Sequence, residues 1–247
     1  MKRNLLLLLF ASCFLCPVSA QVDLRILNHI AIGAEVGTMG VGVDVSMPIT
    51  PFVDVQAGFS MVPKMSFKTS LGMNEPFPGI DKVPVKYQTL MKNGKILVNV
   101  MPIPFLTSFH VTAGAYIGPN EIMGLYNPEP LPAEIAAYNE MNPDNKHGLA
   151  LGDYMLEPDA LGNIDGKLKV FKAKPYVGIG IGRGVPKGRI GFKFDIGCVF
   201  WGKPTVYCNN MEVFDTDEGG KGEDAMRIIT KFKFYPVMNF RLCGKIF

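Results

Sequence analysis

Between Val41 and Phe59 apolar side chains take every second place: Val41, Val43, Val45 and Met47, then, past residues 48–51, Val53, Val55, Ala57 and Phe59. Gly42, Asp44, Ser46, Asp54, Gln56 and Gly58 fill the alternate places. A period of two marks a strand, and two such runs joined by a short break mark a hairpin. The same alternation predicts eight strands, over residues 29–36, 40–49, 52–67, 85–101, 109–118, 167–182, 190–201 and 231–247. They follow one another up and down, with no βαβ pattern.

The connections are one-sided. Those after strands two, four and six are short and rich in proline or glycine ("MPITPF", "PIPFLTSF", "GVPKGR"), while those after strands three, five and seven are long and polar. Short turns at one end and long loops at the other are the arrangement of an outer-membrane barrel, which brings both chain ends to the short-turn side. The expected fold is therefore all-β: an eight-stranded antiparallel up-and-down transmembrane β-barrel with long external loops and short periplasmic turns.

The two faces of the predicted wall differ in kind. Strand seven reads Ile190, Phe192, Phe194, Ile196, Cys198, Phe200 on one parity and Gly191, Lys193, Asp195, Gly197 on the other. A soluble barrel's exterior is dense in Lys, Glu and Thr. This polar face instead mixes glycines with isolated charges, which suits the narrow interior of eight strands. Val41, Val43, Val45, Val53, Val55, Phe192, Phe194 and Ile196 are thus expected to face lipid. Glu35, Asp44, Asp54, His110, Lys193, Asp195, Arg241 and Lys245 are expected in the lumen as a structural charge network, because charges removed from water need partners. Aromatics near strand ends (Phe52, Phe105, Phe109, Phe247, and Trp201, Tyr207 at the other end) fit interfacial girdles.

The ends and composition narrow the compartment. Lys2 and Arg3, an apolar run from Leu5, and Val18, Ser19, Ala20 form a secretory signal pattern, so residues 1–20 are expected to be cleaved and 21–247 to form the barrel domain. Cys13 is a weak lipoprotein match, since Phe10 stands where an aliphatic residue belongs. Without Lys2 and Arg3, 23 basic face 22 acidic side chains, a balance that excludes an electrostatic footprint for nucleic acid. Cys198, Cys208 and Cys243 are an odd set with Cys198 and Cys243 on opposite faces, so no disulfide framework holds this fold.

Here "KPYVGIGIG", "GRIGFKFDIGCVFWGKPTV" and "FKFYPVMNFRLCGKIF" resemble the last three strands of small bacterial outer-membrane β-barrel proteins of the opacity and outer-membrane-protein-A-like superfamily, of the type common in the Bacteroides group. The resemblance implies a Gram-negative cell-envelope location and insertion by the barrel-assembly machinery; because the last predicted strand runs to Phe247, the peptidoglycan-binding domain that some relatives carry is expected to be absent. Met238, Phe240, Leu242 and Ile246 share the lipid parity, whereas the terminal Phe247 does not.

No motif carries convincing chemistry. "GIGIGRG" has Arg183 in place of the third glycine of a dinucleotide fingerprint and no helix after it. "DTDEGG", residues 215–220, lacks the later ligands of a calcium loop, with Met226 where the bidentate Glu belongs. His29, His110 and His147 are the sole histidines; His147 between Asp144 and Asp153 is a thin metal candidate, and His110 with Thr112 a thin catalytic one. No catalytic, cofactor or metal site is therefore assigned. The long loop 119–166 holds "LPAEIAAYNEM", a short helix with Ile135, Tyr138 and Met141 to one side, and is the candidate for binding an external protein or glycan. The expected role is a structural anchor or adhesin-like, loop-presenting protein of the outer membrane, in contact with its lipid. The alternatives are a narrow porin-like conduit for small solutes, a lipid-modifying enzyme, or a secreted lipocalin-like barrel.

Overall fold

A computed structural model describes residues 29–103, 108–143, 145–151, 154–213 and 233–246. The signal pattern, Phe105, Asp144, Asp153, the 215–220 stretch, Met226 and Phe247 lie outside them. Eight antiparallel strands close on themselves: β1 (Ala31–Gly37), β2 (Gly40–Thr50), β3 (Val53–Met61), β6 (Lys92–Val100), β7 (Phe109–Ile117), β12 (Ala173–Gly182), β13 (Ile190–Phe200) and β16 (Phe234–Lys245). Each pairs with its neighbour among these eight, and β16 closes onto β1, with Glu35 opposite Arg241. The one-sided connections are present: β2 passes to β3 through Pro51 and Phe52, while β3 reaches β6 only after two further strands.

The described parts of the long connections carry strands of their own. They contribute β4 (Ser66–Phe77), β5 (Ile80–Thr89), β8 (Glu121–Tyr126), β9 (Leu149–Leu151), β10 (Tyr154–Leu156), β11 (Asp165–Lys169), β14 (Thr205–Cys208) and β15 (Met211–Val213), which pair as a second sheet in the order β10-β9-β4-β5-β8-β11-β14-β15. This corrects three predicted strands. The runs 52–67, 85–101 and 167–182 each merge a cap strand with a barrel strand across breaks at 62–65, 90–91 and 170–172; alternation continues through the first, and only the apolar pairs Leu90–Met91 and Val170–Phe171 mark the other two. "SLGMNEPFPGIDK", read as a connection, is mostly hairpin. The β14–β15 turn has positive φ at both Asn209 and Asn210, the two-residue hairpin geometry that asparagine tolerates.

Leu71, Val83, Val85, Leu125, Leu149, Leu156, Ile164 and Val206 are buried in this cap and make the main apolar core. Helix α1 (Ala133–Met141) adds Ile135 to it. The expected apolar side of that helix is corrected: Ile135 is buried, Tyr138 is half-buried and Met141 is 75% exposed, while Asn139 is buried instead. Its carboxamide both donates to and accepts from the His147 backbone at 2.8 Å.

The barrel has the opposite distribution. Val41, Val43, Val45, Phe192, Phe194 and Ile196 are exposed around its outside, Val43 by 61%, and Val53 and Val55 on the same face are partly exposed. No helix among the described residues is long and apolar enough to cross a membrane; here the strands carry the apolar belt.

Candidate functional site: the barrel lumen

Strand parity delivers a row of polar side chains to the lumen, and they bond into one network. Glu35 of β1 pairs with Lys95 of β6 and accepts from Asn239 of β16. Lys95 Nζ also reaches Asp44 Oδ2 at 3.1 Å. Arg241 Nε donates to Asp44 Oδ1 at 2.7 Å, while its other nitrogens donate to Ser46 Oγ at 3.0 Å and the Gly184 carbonyl at 2.8 Å. Gln56 carries the chain onward, giving its Nε2–H to Asp44 at 2.8 Å and accepting from Lys193 Nζ at 3.0 Å.

Lys193 joins the second half. It donates to Asn99 Oδ1 at 2.9 Å and pairs with Asp195 Oδ2 at 3.2 Å. Asn99 donates to Asp54, whose other oxygen accepts from the Gly184 N–H at 3.3 Å. His110 Nε2 stands 2.7 Å from Asp195 Oδ1. An ionised carboxylate only accepts, so that ring nitrogen carries the proton. Asp44, Asp54, Lys95, His110, Lys193 and Arg241 are all nearly or fully buried. Closed satisfaction of this kind is what buried charges require, since a half-satisfied network is worse than an apolar core.

Of the eight predicted lumen residues, seven meet in this network. Lys245 does not: it is half-buried and lines the short-turn mouth with His29, Asp54 and Arg183. Sequence reading missed Lys95, the main partner of Glu35, and Lys174, which donates to Asn93 Oδ1 at 2.8 Å and the Pro119 carbonyl at 3.2 Å. Parity was the signal for both: Lys95 alternates with Ile96 and Val98, and Lys174 with Pro175 and Val177.

Toward the cap the lumen turns apolar. Tyr116 and Tyr176 meet edge to face at 5.6 Å, with Leu97, Val199 and Val237 buried beside the same layer. A Cβ on Gly197 would lie 2.7 Å from the Tyr176 ring, and one on Gly178 would lie 2.3 Å from the Tyr176 hydroxyl. The two glycines form the bed on which the tyrosine lies. Trp201 is likewise turned in, 5% exposed and stacked on Tyr235 at 4.8 Å, so it is not a girdle residue facing lipid. Tyr207 belongs to the cap, under the Lys169 ammonium.

The remaining chemical candidates stand apart. His147 is packed between the Phe77 and Tyr138 rings in the cap, far in sequence and element from His110. Cys198, Cys208 and Cys243 are free thiols, and burial pushes that of Cys208 up to about 12. Gly178, Gly180 and Gly182 belong to strand β12 rather than to a loop before a helix. Among the described residues no group of three or more His, Cys, Asp and Glu is placed to hold a metal ion.

No protein-family model matches the chain, and no curated protein matches it significantly. Solved structures similar to this chain include two from one organism. One is the crystal structure of Acinetobacter baumannii CarO, 18% identical, with 87% of this chain and 96% of that one aligned at a TM-score of 0.47. The other is that of Acinetobacter baumannii CarO2, 21% identical over 88% of this chain and 98% of that one, at a TM-score of 0.48.

Proposed function

We propose that this protein is an integral outer-membrane barrel that works as a closed anchor, holding a folded cap at the cell surface where the cap meets an external protein or glycan. In this reading residues 1–20 are an export signal removed on secretion, the barrel-assembly machinery inserts the chain, and no reaction is catalysed. The opacity and outer-membrane-protein-A-like resemblance of the last three strands is in keeping with it. The observation that carries the anchor over the conduit is the lumen: Arg241, Lys95 and Lys193 are bonded to carboxylates and amides across the bore, and the Tyr116–Tyr176 layer lies above them. A conducting pore needs an open wet path whose wall groups are free to exchange partners with passing ions.

The test is direct. Purified protein from the outer-membrane fraction should show heat-modifiable gel mobility and leave planar-bilayer conductance at background. Steady ohmic conductance would overturn the anchor in favour of the conduit, and recovery in the soluble periplasmic fraction would overturn the membrane assignment itself.

A further inference from the structure

Where the barrel rim meets the underside of the cap, a crevice of about 570 Å³ opens sideways. Its walls are Val62, Met65, Met91, Ile122, Met123, Leu168, Trp201, Phe234 and Pro236, with Thr38, Thr89 and Tyr235 as the polar members. That volume falls within the roughly 300–1,000 Å³ of ligand pockets. The polar groups are already used. Thr38 Oγ1 donates to the Pro236 carbonyl at 3.2 Å, Thr89 Oγ1 to the Pro63 carbonyl at 2.9 Å, and the Tyr235 hydroxyl to the Thr38 carbonyl at 3.1 Å. The crevice therefore offers a ligand apolar contact rather than hydrogen bonds.

Its position says where such a ligand comes from. Phe234 and Pro236 share the outward parity of β16 with Met238, Phe240 and Leu242, so the mouth continues the apolar belt of the barrel. Met65 and Phe234 stand at that mouth, 46% and 43% exposed, while Ile122 and Trp201 form the back, 6% and 5% exposed. Lys64, Lys92 and Lys233, each next in the chain to a lining residue, are exposed. Cations at the edge of an apolar slot suit an amphiphile with an anionic head. Resting on the outer-membrane reading above, we infer that this crevice is a fixed lipid site, which takes one acyl chain of an anionic membrane lipid from the surrounding leaflet.

Trp201 is the chain's single tryptophan and forms part of the crevice wall, so its fluorescence reads occupancy. The full-length protein in uncharged, bromine-free detergent is titrated with phosphatidylglycerol brominated at mid-chain. The expected result is saturable quenching at about one lipid per protein, reversed by unbrominated phosphatidylglycerol. Val62→Phe, which fills the slot, and Met65→Glu, which puts a negative charge at its mouth, should each remove about half or more of the quenching. Leu161→Glu, at an exposed cap position, should not. Quenching that rises linearly with lipid, or that saturates identically in both crevice variants, overturns the inference. Heat-modifiable mobility measured on the same samples separates the outcomes: its loss in the unmodified protein defeats the membrane reading, and its retention with linear quenching defeats the lipid site alone.

Discussion

At the residue scale the lumen network makes the cost of single changes calculable in kind. Arg241 is fully buried and holds Asp44, Ser46 and Gly184 together. Removing one partner of a buried pair leaves an uncompensated charge, at roughly 3–5 kcal/mol. Asp44 keeps Lys95 and Gln56, so Arg241→Ala should cost about 3 kcal/mol, the low end of that range. The readout is a lower urea midpoint of the refolded barrel, with conductance still at background; an unchanged midpoint with a new cation preference would mean a wet lumen. A second residue-scale prediction concerns pH. In the cap, the N–H groups of Asn163 and Leu161 donate to the Asp159 carboxylate at 2.7 and 2.9 Å, holding its carboxyl below the usual carboxylate range. A depressed folded-state value means the turn is fully stabilised above the ordinary Asp value of about 3.9 and weakens as pH falls through the lowered one. The Leu161 and Asn163 amide shifts should titrate with a midpoint below about 3.9; a midpoint at or above it would contradict the bonds.

At the scale of the element, each barrel strand answers to two environments at once. Val43→Arg puts a cation on the outward face of β2 and, in the proposed outer-membrane setting, should cost about 2–4 kcal/mol. On the inward face of β13 the limit is steric. A Cβ on Gly197 would come within 2.4 Å of the Val177 carbonyl oxygen and 2.7 Å of the Tyr176 ring, so Gly197→Ala should cost at least the 1–3 kcal/mol typical of overpacking. Both are read as lost fractions of heat-modifiable species after refolding; tolerance of arginine at Val43 and also at Phe194 would reverse the lipid-facing reading of the outer surface. Here the sequence was most legible. Alternation alone separates Phe192 and Phe194 from Lys193 and Asp195, since the outer face and the lumen demand unlike chemistry of neighbouring residues. It failed where both environments ask for the same pattern. The run from Phe52 to Phe67 alternates across the step from barrel to cap, and a period of two carries no mark of where one sheet ends. Trp201 was misread for a related reason, because a strand-end aromatic suits an interface or a plug equally.

At the scale of the whole molecule, the cap is assembled from three separate stretches of chain, and the barrel alone brings them together. β4 and β5 come from the stretch between β3 and β6; β8, β9, β10 and β11 come from that between β7 and β12; β14 and β15 come from that between β13 and β16. Their order in the sheet interleaves these origins, with β4–β5 held between β9 and β8. Leu149 is fully buried in the shared core, and Leu→Ala at such a site costs about 2–5 kcal/mol. Leu149→Ala should therefore raise protease cutting in all three stretches together while the barrel persists; cutting confined to residues near 149 would mean that they fold independently. The joint sheet was not legible because pairing between distant segments leaves no local trace. It also bears on how this surface changes over generations. A barrel with separate loops can lengthen or shorten each one without consulting the others. Here a one-residue insertion within β5 would throw β4 and β8 out of register at once, and turn the Val83–Val85 face from the core to water. Drift in length is thus restricted to the turns between paired strands, such as Asn209 and Asn210, and the outer face can change its side chains far more freely than its shape.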